Sequence, residues 1–228
     1  MFLYELHMHS YEGSACGKSS IHDMIRYYKS QGFSGAVITD HFTRGNCRPC
    51  RSLGWAEFLQ EYCRGYYEGL ETAAALDFDL LFGVEQHYGG GKEFLAYGFE
   101  PEFLYQRPQL YKAGVEEWAE ALHSVGGFLA YAHPFRQRSY IPEPRLMPDM
   151  SLVDGVEVFN YCNLKEDNEL AAETFLPGST ILIAGSDLHA HTPKGCCGVA
   201  LPHRVRTSGE LAAALRQNNF EIVKHKTV

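Results

Sequence analysis

The chain has 228 residues, 45% of them hydrophobic, and a formal net charge of −8, which describes an ordinary folded protein long enough for one α/β domain across residues 1–228. The acidic balance argues against broad electrostatic capture of nucleic acid, so no long nucleic acid is expected as a partner, although a local arginine cluster can still hold a phosphate. No stretch approaches the ~18 apolar residues of a membrane span and the N-terminus lacks a basic-then-apolar signal, so no membrane partner and a cytoplasmic location are expected.

Short apolar runs mark seven strands in chain order: FLYEL (2–6), GAVIT (35–39), DLLFGV (79–84), EFLAYGF (93–99), GFLAYA (127–132), DGVEVF (154–159) and TILIAG (180–185). Helical patterns fall between most of them. Ser19 or Ser20 can cap a helix running to about Gln31, ended by Gly32. Apolar spacing predicts a helix from Trp55 to about Leu76, and others from Val115 to Val125, Leu164 to Phe175 and Ser208 to Asn218. This β-α-β-α alternation predicts a parallel sheet covered by helices, either open or closed as a barrel. The Pro-rich stretch from Pro134 to Pro148 reads as a long loop at a site.

His7 and His9 stand one residue apart, and in a strand that spacing aims both imidazoles at one face. Alone such a pair is ordinary. Its weight comes from Asp40 and His41, Glu85, His133, and Asp187 and His189, all at or just past the C-terminal ends of predicted strands, the edge where parallel α/β folds build sites. Seven cysteines without a secretion signal suit reduced thiols. Cys47 and Cys50, with Cys196 and Cys197, read as loop thiols, with a structural zinc as the alternative.

In order, the motifs H-x-H (7–9), T-D-H (39–41), G-x-E (83–85), A-H-P-F-R (132–136) and G-S-D-x-H (185–189) resemble the PHP family, named for its polymerase and histidinol phosphatase members. The segments GNCRPC and GGGKEFLAYGF resemble a bacterial branch of metal-dependent phosphoesterases. The resemblance implies a distorted, TIM-like (β/α)7 barrel with two or three divalent ions, zinc, manganese or iron, at its C-terminal rim. It implies His7, His9, Glu85 and Asp187 around one ion, Glu85 and His133 on a second, and His41 and His189 on a third. Two positions depart from the family's usual histidine: Glu12 is the candidate at the third ion, with Cys16 its rival, and Glu93 at the second. Those carboxylates would let manganese or iron compete better with zinc.

The chemistry implied is hydrolysis of phosphomonoesters or short phosphodiesters, nucleotide-like or small phosphorylated metabolites, by a metal-bound hydroxide, with Asp187, His189 and Arg136 as the catalytic group. Arg136, Arg44 and Arg48 are the candidates for binding phosphate. A short oligonucleotide is the largest nucleic acid this reading admits. The alternatives are a histidinol-phosphatase-like enzyme, a non-catalytic metal-binding module, and amidohydrolase-like cleavage of a carbon–nitrogen bond. His87 and His191, each two residues past a candidate ligand, are weighed as supporting or substrate-facing groups.

Overall fold

The computed structural model describes residues 1–175, 178, 180–191 and 195–225. Its strands are β1 (Phe2–Met8), β2 (Gly35–Ile38), β3 (Asp79–Gly89), β4 (Lys92–Tyr97), β5 (Phe128–Tyr131), β6 (Gly155–Asn160), β7 (Ile181–Gly185), β8 (Cys196–Leu201) and β9 (Glu221–His225). They form one sheet in the order β7-β6-β5-β4-β3-β2-β1-β8-β9. Just past β7, the Asp187 N–H donates to the His7 carbonyl (2.7 Å) and the His9 N–H to the Leu188 carbonyl (3.1 Å). The run from β1 to β7 therefore bends into a nearly closed barrel, as the TIM-like reading expects.

Two features differ from uniform β-α alternation. β3 and β4 are joined as a hairpin, and β4 is antiparallel to both its neighbours. The cause is local: Gly90 and Gly91 follow β3 at positive φ, the conformation a tight reversal needs. The hairpin also brings the N-terminal end of β4 to the rim where the parallel strands end. The second difference is β8 and β9, absent from the predicted set. β8 pairs antiparallel with β1, which places Cys196 and Cys197 in a buried strand rather than a loop.

Ser20 caps α1 (Ile21–Ser30), its side chain accepting from the Asp23 N–H. The predicted 55–76 helix is two, α2 (Trp55–Tyr62) and α3 (Arg64–Ala75), broken at Cys63. α4 (Pro101–Tyr105), α5 (Val115–His123), α6 (Lys165–Thr174) and α7 (Ser208–Gln217) complete the set, and Asn218 ends α7 in the left-handed region.

Alternate residues along a strand serve different layers. Ala36, Ile38, Phe82 and Phe94 pack with α1, α2, α3 and α5, whereas Val37, Leu81, Leu95 and Ala130 pack with Leu211 and Leu215 of α7. Leu81 and Glu85, and likewise Leu95 and Glu93, are an even number of residues apart, so each carboxylate continues an apolar row of its own strand toward the rim. The turn carrying His41 is anchored from behind. Phe42 is fully buried and meets Trp55, Phe58, Tyr62 and Trp118 edge-on, each such side chain stabilising by roughly 1.5–3 kcal/mol. Tyr62 also donates its hydroxyl to the Asp40 carbonyl at 2.5 Å. Phe58→Ala would open a cavity under this turn at a cost of about 3–5 kcal/mol. Among the described residues, no helix is long and apolar enough to cross a membrane.

Candidate metal centre

The barrel rim gathers five imidazoles and two further carboxylates, Asp187 and Glu93, around Glu85. One Glu85 oxygen lies 3.1 Å from His7 Nε2 and 3.0 Å from His133 Nε2. The other lies 3.3 Å from His9 Nε2 and 2.8 Å from His41 Nδ1. Asp187 Oδ1 stands 3.1 Å from His9 Nε2, 3.5 Å from His7 Nε2 and 3.6 Å from His189 Nδ1. Glu93 spans His41 (3.3 Å) and His133 (3.5 Å). The strand-end motifs thus meet in space, Glu93 with them.

Hydrogen bonds behind the rings settle which nitrogen faces inward. Ser14 Oγ donates its only proton to Asp40 Oδ1 (2.7 Å), so at 3.0 Å it must accept from His9 Nδ1–H. His7 Nδ1 faces Glu157 Oε1 at 2.9 Å, and His189 Nδ1 faces the Asp187 carbonyl at 3.0 Å; both oxygens only accept. Nδ1–H is therefore occupied on all three rings, and Nε2 is left as the inward lone pair. Through Ser14, which also accepts the His41 backbone N–H (3.0 Å), Asp40 acts on both His9 and the His41 turn, and it takes the Ser10 N–H (2.7 Å) and hydroxyl (2.6 Å) as well.

This arrangement lacks positive charge. His7 Nε2 and His9 Nε2 are 3.2 Å apart, so two lone pairs face each other unless a cation or proton lies between. His41 Nδ1 and Glu85 Oε2 are buried without a hydrogen-bond partner although only 2.8 Å separates them. Burial opposes ionisation of His7, yet the carboxylates of Asp187, Glu157 and Glu85 raise its pKa well above the usual histidine range. Burial, with His189 and His41 beside it, pushes His9 well below that range. Burial likewise opposes the charge on Asp187, but Arg136 and His7 hold its carboxyl far below the ordinary value. Four overlapping donor triads fit a metal: His7/His9/Glu85, His7/His133/Asp187, His41/Glu85/Glu93 and His9/His41/His189. His133 (φ 28°) and Asp187 (φ 57°) both adopt left-handed backbone, strain of a kind that collects at functional sites.

Glu12 is not part of this cluster. Its carboxylate accepts the Ile21 N–H at 3.0 Å, so it serves the first turn of α1 and corrects the expectation that it is a ligand. Cys16, its rival for that position, stands nearer the cluster. It lines the central cavity beside His41 and His189. Burial would raise the thiol, but those histidines bring it down to about 6. Arg48 also departs from expectation: its guanidinium lies 3.8 Å over the Tyr11 ring and donates to the carbonyls of Tyr11, Ser14, Ala15 and Gly17, tying down the loop that carries Ser14. It is not among the cavity-lining residues, which include Arg44, His87, Arg136 and Tyr140.

The cavity holds about 500 Å³. Arg136 enters it with one edge committed: Nε donates to Asn163 Oδ1 (2.7 Å), and Nη2 to Asn160 Oδ1 (2.9 Å) and Asp187 Oδ2 (2.5 Å). Nη1 makes no hydrogen bond among the described residues. His87 accepts the Gly91 N–H (3.1 Å) at the cavity wall, whereas His191 pairs with Ser19 (2.6 Å). No cluster of the described residues joins Cys47 and Cys50 to Cys196 and Cys197, so the zinc alternative for them falls away. Glu157, Ser14 and Asn160 were not legible as site residues, because none stands beside a histidine motif in the sequence.

No protein-family model and no curated protein matches the chain. Among solved structures it is similar to a two-domain protein of Bacteroides vulgatus containing a predicted PHP-like metal-dependent phosphoesterase (TM-score 0.65, 16% identity, 98% of this chain and 65% of that one). It is also similar to an amidohydrolase of Chromobacterium violaceum with bound sulfate (TM-score 0.57, 15% identity, 97% of each chain). Endonuclease Q, in complex with a 27-mer duplex bearing an abasic lesion at its active site, superposes with TM-score 0.61 at 11% identity, over 95% of this chain and 57% of that one. The chain spans less than two thirds of the first and third of these neighbours. At such identities the likeness is one of architecture, and with the nearly closed sheet already described, the chain has the fold of the PHP-like metal-dependent phosphoesterases.

Proposed function

We propose that the chain is a metal-dependent hydrolase of phosphate esters, acting on a small phosphorylated substrate, with a single PHP domain filling residues 1–228. The observation that carries this reading is the unsatisfied pair at its centre, His41 Nδ1 and Glu85 Oε2, within a ring of inward lone pairs that only positive charge can reconcile. The donors fit divalent ions: His7, His9, Glu85 and Asp187 would hold one, Glu85, Glu93 and His133 a second, and His41 and His189, with Cys16 in place of Glu12, a third. Bound there, zinc, manganese or iron supplies Lewis acidity toward a phosphoryl oxygen and lowers the pKa of water.

The side chains themselves do the positioning. Asp187 divides its oxygens, Oδ2 to Arg136 and Oδ1 to the imidazoles, so the arginine is fixed beside the reaction centre with Nη1 available to a phosphate oxygen. Arg44 lines the same cavity, its guanidinium 3.4 Å from the Ala113 and Tyr88 carbonyls, and offers a second cation to the substrate. His189, whose side chain is 29% exposed, brings the third donor group to the cavity wall.

Amidohydrolase chemistry is the second reading, favoured by a neighbour that shares the fold over 97% of both chains. Arg136, aimed into the cavity from the Asp187 side, favours phosphate. The exclusion of long nucleic acid gains no support, since a neighbour of the same fold binds duplex DNA. Assaying phosphomonoesters, an abasic-site duplex and amides side by side with added Mn²⁺ tests the proposal. Turnover of phosphate esters is expected; turnover of amides alone would overturn it.

A further inference from the structure

Glu157 lies in the middle of β6, in an apolar stretch and remote in sequence from every histidine motif, yet it is fully buried and touches two of them. Oε1 meets His7 Nδ1 at 2.9 Å. Oε2 accepts the His133 backbone N–H at 2.9 Å and the Asn160 side-chain amide at 3.0 Å. The Asn160 carbonyl oxygen in turn accepts from Arg136. One carboxylate thus joins an imidazole of the first donor group, the backbone of a strained residue in the second and, through one amide, the arginine of the cavity.

From this geometry we infer that Glu157 is the positioning residue of the metal centre, acting from behind the histidines it orients. The inference rests on the metal-dependent reading above. Three independent features support it. A carboxylate on Nδ1 fixes the tautomer and rotation that present Nε2 to Glu85 and Asp187. His133 holds left-handed backbone at φ 28°, where a β-carbon is crowded, and the bond from its N–H to Glu157 is a local force keeping it there. Gly185 leaves room for the contact: a β-carbon there would lie 2.6 Å from Glu157 Oε1 and collide with His7 Cβ as well. Glutamine cannot substitute, because its single carbonyl oxygen can serve His7 Nδ1–H or His133 N–H, and its amide would confront the other donor.

The test uses the full chain, stripped of metal and titrated with Zn²⁺ against a chromophoric chelator, as wild type and Glu157→Gln, with circular dichroism to establish folding. The expected result is zinc binding weakened about 10- to 100-fold with secondary structure retained. In zinc-loaded wild type, ¹⁵N shifts should show His7 protonated at Nδ1. Binding in Glu157→Gln within twofold of wild type would overturn the inference. So would a wild-type His7 protonated at Nε2, a result that stands even if the variant does not fold. Failure of the wild type to bind zinc would instead strike the reading beneath it.

Discussion

The two halves of the rim cluster are built differently. On one side His7, His133 and Asp187 are buried, each no more than 2% exposed, with Glu157 and Arg136 holding them and, of the three, Asp187 reaching the cavity wall. On the other, His41 and His189 face the cavity with Cys16, and the group behind His189 is a neutral backbone carbonyl, that of Asp187. A carboxylate behind an imidazole strengthens it as a donor more than a neutral carbonyl does, and burial slows exchange with water. The buried half should therefore hold its metal tightly and set the chemistry, while the open half should bind more weakly and adjust to the substrate.

The strongest way to break that comparison is in the buried half. Asp187→Ala or His7→Ala is expected to lower phosphoesterase kcat/KM by at least about 10³-fold, roughly 4 kcal/mol, with circular dichroism unchanged. Full activity in either variant, after stripping and remetallation, would end the catalytic assignment. Next comes Arg136→Ala, which should raise KM and lower kcat/KM by about 30- to 1000-fold, the ~2–4 kcal/mol of a charged contact in a desolvated site, at unchanged metal content. Arg48→Ala should leave KM where it is, since that guanidinium is consumed by loop carbonyls.

Much of this was legible in the sequence because the donors sit in motifs at strand ends, where spacing alone determines their direction. His7, His9, His41, Glu85, His133, Asp187 and His189 all converge where the strand pattern placed them, and Glu93 joins them by way of the hairpin. What escaped was long-range. Nothing in DGVEVF distinguishes Glu157 from a solvent-facing strand residue until the curved sheet, with β7 against β1, brings its side chain to His7. The choice between Glu12 and Cys16 turned on where the loop between β1 and α1 doubles back. There the Gly13 carbonyl accepts the Arg48 N–H (2.7 Å) and the Ala15 N–H bonds the Asn46 carbonyl (2.8 Å), contacts to a segment thirty residues away. β8 was missed because CCGVAL opens on two cysteines and a glycine rather than β-branched residues.

With Cys16 as the third-site ligand in place of Glu12, as proposed, the expected metal preference of the open half would reverse. Thiolate favours zinc or iron over manganese, so Cys16→Ser should weaken zinc in the open half about tenfold and leave the buried half filled. Metal-free protein should react with iodoacetamide first at Cys16, whose pKa of about 6 makes it thiolate at neutral pH, and zinc should protect it. Equal zinc stoichiometry and affinity in wild type and Cys16→Ser would remove sulfur from the centre.

The smallest effect expected is that of Glu12→Gln, and it tests the boundary of the site. The Glu12 carboxylate meets Ile21 N–H, the first residue of α1, where the unpaired N–H groups give the helix its positive end. Glutamine keeps an oxygen able to accept that hydrogen bond and loses only the charge, worth about 0.3–1 kcal/mol near a helix N-terminus. Melting should therefore fall by a few degrees at most, because about 1 kcal/mol shifts Tm by ~2–4 °C in a domain near this size. Metal content and kcat should not change. If Glu12→Gln instead loses an ion, the loop between β1 and α1 closes differently around metal, and the open half recruits a carboxylate in place of Cys16.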